Sequence, residues 1–169
     1  MSLLQAYDPK WAEDAAEACA LWMTHVAGLV TVHHIGSTSV PGLPAKPIID
    51  LLPVFETQEA RDQARQSVET LGYEWMGAFG LEGRAYARKI DPETGRRLVH
   101  AHGYAEGHAD IRRHLAFRDI LRQNAALRAA YTSVKASCAA RHPDGGPAYG
   151  DCKSGWIEKT EAIALERLT

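Results

Sequence analysis

The sequence has few cysteines, no long apolar run and no surplus of charge, and each absence excludes a class of protein. Its three cysteines, Cys19, Cys138 and Cys152, form no CxxC pair, so neither a structural zinc site nor a disulfide framework is expected. No apolar run approaches membrane-spanning length, and residues 1–15 lack the apolar core of a signal peptide. We therefore expect a cytoplasmic protein with ordinary thiols and no membrane partner.

Composition and charge describe an ordinary globular chain. The 169 residues are 46% hydrophobic and 24% charged, which is typical of one folded domain and leads us to expect a single domain over residues 1–169. The 19 basic and 21 acidic residues give a net charge of −2. Such a balance implies no general attraction to nucleic acid, although a local basic patch remains compatible with it.

The spacing of apolar, β-branched and turn residues predicts an α/β fold, in which helices pack on a mixed sheet and the C-terminal section is helical. The predicted helices are 11–28, 57–71, 109–123, 124–141 and 151–168, and the predicted strands are 29–35, 47–54, 73–76, 84–90 and 98–104. Strand 47–54 is apolar almost throughout, as in a strand buried on both faces. Asp50 interrupts it and is the most unusual residue in the chain.

The segment around Asp50 carries the strongest indication of a ligand site. Its candidate ligand-binding residues are Gly36, Ser37, Thr38, Ser39, Lys46 and Asp50. A glycine lets the backbone approach an anion, hydroxyls and a lysine add donors and charge, and a carboxylate can hold Mg²⁺. The alternative is a Gly/Pro-rich connection whose serines bond to their own backbone. A buried, unpaired carboxylate would cost on the order of several kcal/mol, which favours a phosphate site.

His100 and His102 form a second candidate site. Residues two apart in a strand point to the same face, so the imidazoles lie side by side. They could bind a transition metal, contact phosphate when protonated, or act as acid and base near neutral pH. The alternative is the exposed face of a strand. The metal interpretation strengthens only if Asp50 faces them.

The C-terminal helices supply the third group of candidates. Three pairs of residues four apart share helical faces: Arg118 with Arg122, Tyr131 with Lys135, and Tyr149 with Lys153. Arginines on one face can clamp phosphate. The alternative is that Arg118 pairs with an acid such as Asp119 and that the lysines are solvated. We favour a solvated Lys135 and keep Arg118 and Lys153 as candidate phosphate ligands.

The stretch HIGSTSVPGLPAKPIIDLLPV, residues 34–54, closely resembles the signature of the GrpB family. Further matches are YDPKW at 7–11, LGYE at 71–74, His100-x-His102, FRDxLR at 117–122 and the two Tyr-x-x-x-Lys pairs. The resemblance covers nearly the whole chain. It implies the nucleotidyltransferase-like fold that is shared with polymerase β and aminoglycoside nucleotidyltransferases.

In that superfamily a Gly-Ser turn precedes a strand with two acids, one residue apart, that hold the metal–nucleotide complex. Gly36-Ser37 matches the turn and Asp50 the first acid, but Leu52 occupies the position of the second. His100 or His102 stands where active enzymes carry a third acid.

The resemblance therefore implies a nucleotide or another phosphorylated small molecule as partner. It also implies nucleotidyl or phosphoryl transfer with Asp50, His100 and His102 as catalytic residues and as ligands of one divalent metal (Mg²⁺, Mn²⁺ or Zn²⁺). Imidazole favours the transition metals over Mg²⁺. The alternative is a module that binds its ligand without catalysis.

Overall fold

The computed structural model describes residues 2–168. Its helices are α1 (Lys10–His25), α2 (Gln58–Gln63), α3 (Arg65–Thr70), α4 (Ala109–Gln123), α5 (Ala125–Arg141) and α6 (Gly146–Glu166). Its strands are β1 (Leu29–Ile35), β2 (Ile49–Phe55), β3 (Tyr73–Gly77), β4 (Ala85–Ile90) and β5 (Arg97–Ala105). A single turn of 3₁₀ helix, Ser37–Ser39, follows β1.

The strands form one mixed sheet in the order β1-β2-β5-β4-β3. Strands β2 and β5 lie in the middle and run parallel, and every other neighbouring pair is antiparallel. Asp50 on β2 is opposite Ile35 on β1 and His100 on β5. The alternation of strand side chains therefore places Asp50, His100 and His102 on the same face of the sheet.

The two faces of the sheet are covered by different helices. On one face the main core joins α1 and α3 to the sheet through residues such as Trp22, Leu51 and Val68. On the other face, Leu52 and Tyr104 belong to a smaller apolar cluster that packs against Leu115 of α4. Because both faces are covered, β2 is buried along its length except at Asp50.

Helices α4, α5 and α6 pack together as a helical C-terminal section. Their shared core includes Val40 and Leu43 from the connection between β1 and β2. Within it, Tyr131 of α5 stacks on Trp156 of α6 with 4.7 Å between ring centroids. The helical section thus holds the segment that follows the Gly-Ser turn.

The predicted mixed sheet and helical C-terminal section are confirmed, with three differences in the helices. Helix α1 ends at His25, whereas the prediction extended to residue 28. The predicted helix 57–71 is divided into α2 and α3, because the Ala64 amide bonds to the Arg61 carbonyl in a tighter turn. Helix α6 begins at Gly146 and not near residue 151, since Pro147 suits a first helical turn. Within residues 2–168 no helix is both long and apolar enough to cross a membrane.

The expectation of three ordinary thiols is wrong. Cys138 of α5 and Cys152 of α6 form a disulfide with 5.9 Å between their Cα atoms, and Cys19 is free. Their spacing in the sequence gives no sign of pairing, because the two cysteines meet only when α5 and α6 fold back on each other.

Candidate ligand-binding cleft

Asp50 faces both histidines, as the metal interpretation required. Its Oδ1 lies 3.3 Å from His102 Nε2 and 3.7 Å from His100 Nδ1. Burial alone would raise the pKa of the Asp50 carboxyl, but the hydrogen bond with His102 and the charge of the nearby imidazoles outweigh it and lower that pKa. Asp50 is therefore held as a carboxylate.

The donor atoms around Asp50 suit a single transition metal better than a pair of Mg²⁺ ions. A pair of Mg²⁺ ions does not fit, because Mg²⁺ takes oxygen ligands and Leu52, two residues beyond Asp50, is fully buried among apolar side chains. One carboxylate with two imidazoles matches the ligand types of a single transition metal, and His100 Nε2 is buried without a hydrogen-bond partner. Across residues 2–168, however, no three His, Cys, Asp or Glu side chains are already arranged to hold a metal ion.

The Gly-Ser turn is packed directly against this carboxylate. Gly36 has φ +72°, and a Cβ built on it would lie only 2.5 Å from Asp50 Oδ2. Ser39 is buried, and its hydroxyl donates to the Gly36 carbonyl. Thr38 is also buried, with its Oγ1 2.9 Å from His34 Nε2. Only Ser37 and Thr38 of the three hydroxyl residues line the neighbouring cleft.

That cleft has a volume of about 520 Å³, within the usual range for small-molecule sites. It is lined by Ser37, Thr38, Ala45, Lys46, Ile48, Asp50, Phe79, Arg97, His100, Lys135, Gly146, Pro147, Tyr149, Gly150 and Lys153. A larger concavity of about 890 Å³ lies between α4 and the end of α6, but neither the Gly-Ser turn nor Asp50 lines it. The smaller cleft therefore joins six of the predicted site residues: Ser37, Thr38, Lys46, Asp50, His100 and Lys153. Four others do not line it: Gly36, Ser39, His102 and Arg118.

Three lysines face this cleft. Lys46 follows the Gly-Ser turn, Lys135 lies on α5 and Lys153 on α6. Among the residues that the structure describes, no carboxylate forms an ion pair with any of them. Burial, followed by repulsion from neighbouring lysines, lowers the pKa of Lys135 to about 7 and that of Lys153 to about 8. Burial and the nearby Arg97 also lower the pKa of Lys46.

The interpretation of Lys135 as solvated is wrong: only 2% of the residue is exposed, and its Nζ donates to the Pro44 carbonyl at 2.5 Å. Each Tyr-x-x-x-Lys pair places its lysine over its own tyrosine ring, with Nζ 5.2 Å from the Tyr131 centroid and 4.2 Å from the Tyr149 centroid. These pairs are the sequence signal for a buried cationic site. Nothing in the sequence indicates that Arg97 or Phe79 would join it.

Arg118 lies outside the cleft. Its guanidinium pairs with Asp119 at 2.7 Å and donates to the His34 carbonyl at 3.3 Å. Arg122 donates to the Ser39 carbonyl at 2.9 Å. Both arginines of this helical face thus support the segment around the Gly-Ser turn from behind.

Known proteins resemble this chain in sequence and in fold. The family described as GrpB protein matches residues 3–162. The chain belongs to the GrpB family. It is 38% identical over 159 residues to UPF0157 protein YqkA of Bacillus subtilis, covering 94% of this chain and 46% of that protein. A Streptomyces coelicolor relative, UPF0157 protein SCO7215, is 34% identical over 91% of this chain and 79% of its own length.

Solved structures show the same fold. The crystal structure of the conserved protein GrpB from Enterococcus faecalis is 42% identical, with a TM-score of 0.87 over 98% of both chains. The Cid1 poly(U) polymerase with bound Mg 3′-dATP has a TM-score of 0.59 at 13% identity, over 88% of this chain and 49% of that one. This confirms the nucleotidyltransferase-like fold. The chain spans less than half the length of YqkA and of Cid1.

Proposed function

We propose that this GrpB chain binds the phosphate groups of a nucleotide or another phosphorylated small molecule in the cleft. The observation that carries the proposal is the convergence of Lys46, Lys135 and Lys153 without an acidic ion-pair partner in the described part of the chain. Arg97 adds a fourth cation, and Asp50 is the one carboxylate in the lining. Four cationic side chains against one carboxylate leave an excess of positive charge in a concave site, and such an excess attracts an anion.

The lowered lysine pKa values support an anionic ligand over a neutral one. They reflect a free protein in which burial and mutual repulsion make the charged lysines costly. A phosphate group would offset that cost and could accept charge-assisted hydrogen bonds from the ammonium groups. The Ser37 hydroxyl adds a further polar group at the same wall.

Calorimetric titration with inorganic tripolyphosphate tests this proposal, because that probe carries phosphates and nothing else. The wild-type protein is expected to bind tripolyphosphate saturably. Lys153→Met is expected to bind it at least about 10-fold more weakly, because the variant loses one charged hydrogen bond to the ligand. Lys159→Met is the matched control, since Lys159 is exposed on the same helix. Absence of saturable binding to the wild type, or equal loss in both variants, would reject the proposal.

Nucleotidyl or phosphoryl transfer is a second candidate function, favoured by the contact of Asp50 with His102 on a sheet of the nucleotidyltransferase type. The ionised Asp50 could orient a substrate hydroxyl, and His102 could exchange a proton with that hydroxyl. Asp50→Asn should then abolish turnover of a nucleoside triphosphate while the thermal stability stays close to that of the wild type. Full activity in Asp50→Asn would eliminate this candidate.

A single transition metal at Asp50, His100 and His102 belongs to the same candidate. When bound, Mn²⁺ or Zn²⁺ would supply positive charge for a phosphate oxygen. The side chains of this chain would hold the ion through one carboxylate and two neutral imidazoles. Titration with Mn²⁺, followed by electron paramagnetic resonance, should show one site that His102→Ala removes; binding that survives this change would place the metal elsewhere.

A further inference from the structure

Residues 78–84 follow Gly77, the last residue of β3, and form a loop that borders the cleft and carries an exposed aromatic ring. Gly77, Gly80 and Gly83 have positive φ values, so the loop turns sharply. The Arg84 guanidinium fixes it by donating to the carbonyls of Ala78 at 3.2 Å and Phe79 at 2.7 Å. Together with the hydrogen bond that Arg61 of α2 donates to the Gly83 carbonyl, these contacts fix the course of the loop.

Phe79 is the unusual residue of this loop. It is the one non-glycine residue with positive φ, at +47°, in the part of the chain described by the structure. A bulky side chain in that region is strained, by on the order of 1–3 kcal/mol, and such strain concentrates at functional sites. Burial does not compensate for it, because 56% of Phe79 is exposed. Phe79 nevertheless lines the cleft that contains Lys46, Lys135 and Lys153, called the lysine cleft from here on.

A row of aromatic rings connects Phe79 to the carboxylate. Phe79 stacks on Tyr86, with centroids 5.3 Å apart and planes 21° apart. Tyr86 in turn contacts His100, with centroids 5.7 Å apart, and His100 lies beside Asp50. Tyr86 is buried and supports one side of the Phe79 ring, so the ring presents a rigid apolar surface to the cleft.

We infer that Phe79 is a stacking platform for a planar aromatic group of the ligand, so that the ligand class is a nucleotide and not a sugar phosphate. The cleft then has two parts: lysines for the phosphates, and Phe79 for the base. Stacking on an aromatic side chain suits any nucleobase, because every base has a π face. This inference rests on the proposed phosphate binding.

Calorimetric titration of the full chain with tripolyphosphate and, separately, with ATP, GTP, CTP and UTP in Mg²⁺ buffer tests it. The wild type should bind at least one nucleotide more tightly than tripolyphosphate. Phe79→Leu, which keeps an apolar side chain but removes the ring, should weaken that nucleotide roughly 5- to 100-fold. The affinity of Phe79→Leu for tripolyphosphate should stay within about 2-fold of the wild-type value. Phe79→Tyr keeps an aromatic ring and should retain the wild-type affinity for the nucleotide.

Leu81→Ala is the control, because Leu81 is 45% exposed in the same loop but does not line the cleft. It should change neither affinity. Two results would contradict the stacking role of Phe79 while leaving the phosphate-binding proposal standing. The first is that no nucleotide binds more tightly than tripolyphosphate, and the second is that Phe79→Leu loses equal affinity for both ligands. If neither tripolyphosphate nor any nucleotide binds to the wild type, both proposals fail together.

Discussion

Gly36 lies against Asp50 so closely that any side chain there would collide with the carboxylate. A Cβ on Gly36 would be 2.5 Å from Asp50 Oδ2 and 3.0 Å from its Cγ. The Gly-Ser turn and the acid are therefore one packed unit, although 14 positions separate Gly36 from Asp50 in the sequence. This contact explains why a glycine is needed at the turn independently of any ligand.

Gly36→Ala should destabilise the protein and displace Asp50. We expect a loss of about 1–2 kcal/mol for a non-glycine residue at positive φ, and about 1–3 kcal/mol more for the forced contact. Urea denaturation measures the sum. Gly42→Ala is the control, because Gly42 also has positive φ, +82°, but a Cβ added there would meet no atom within 4 Å. Equal losses in the two variants would show that the contact with Asp50 is unimportant.

Lys135→Met should stabilise the ligand-free protein, by about 1–3 kcal/mol at pH 7, because it removes a buried ammonium without an acidic partner. The folded pKa of Lys135, about 7, lies below its ordinary value of 10.5, so the unfolded chain binds more protons between these pH values. The cost of the charge is therefore fully present below pH 7 and disappears as the pH approaches 10.5. The advantage of the variant should shrink over that range.

Denaturation of wild type, Lys135→Met and the exposed control Lys159→Met from pH 6 to pH 10 provides the measurement. The same Lys135→Met protein should bind tripolyphosphate more weakly, so that stability and binding change in opposite directions. A destabilised Lys135→Met with unchanged binding would mean that the lysine is a structural donor to the Pro44 carbonyl and nothing more.

Phosphate binding should take up protons. At pH 8 a part of Lys135 and Lys153 is neutral in the free protein, since their pKa values are about 7 and about 8, and a bound anion would restore the charged forms. Affinity for tripolyphosphate should therefore fall from pH 7.5 to pH 9. Calorimetry in two buffers of different ionisation enthalpy measures the proton uptake. Proton release, or affinity that rises with pH, would contradict this arrangement.

The disulfide between Cys138 and Cys152 should stabilise the hairpin of α5 and α6, which carries Lys135 and Lys153. For a sequence separation of 14, its removal should cost about 2–3 kcal/mol. Comparing the Cys138→Ser, Cys152→Ser double variant with Cys19→Ser by urea denaturation checks this value. If a reducing agent leaves the stability of the wild type unchanged, the disulfide contributes nothing to it.

Much of the fold is predictable because local signals agree with the tertiary structure. Asn124 caps α5 by accepting from the Leu127 amide, as its position before an alanine-rich run predicts. The apolar run around Asp50 forms a central strand, and the one carboxylate within it lies at the centre of the site. Buried strands and caps are set by short stretches of sequence.

The rest of the site depends on contacts between distant segments. The sequence favours a solvated Lys135 because a lysine among alanines and serines on a helix is usually exposed. Its burial follows from the packing of α5 against the segment around Pro44, 91 positions away. The place of Phe79 in the cleft and the pairing of Cys138 with Cys152 are not predictable from the sequence for the same reason. Sequence spacing shows which residues share a helix face, but not what that face meets.

The most direct test of phosphate binding by the lysine cleft is a crystal structure of the protein soaked with a non-hydrolysable nucleoside triphosphate analogue and Mn²⁺. We predict electron density for phosphate within hydrogen-bond distance of the Nζ atoms of Lys135 and Lys153, with the Gly-Ser turn beside it. An analogue bound at another surface while this cleft holds no phosphate would contradict the account.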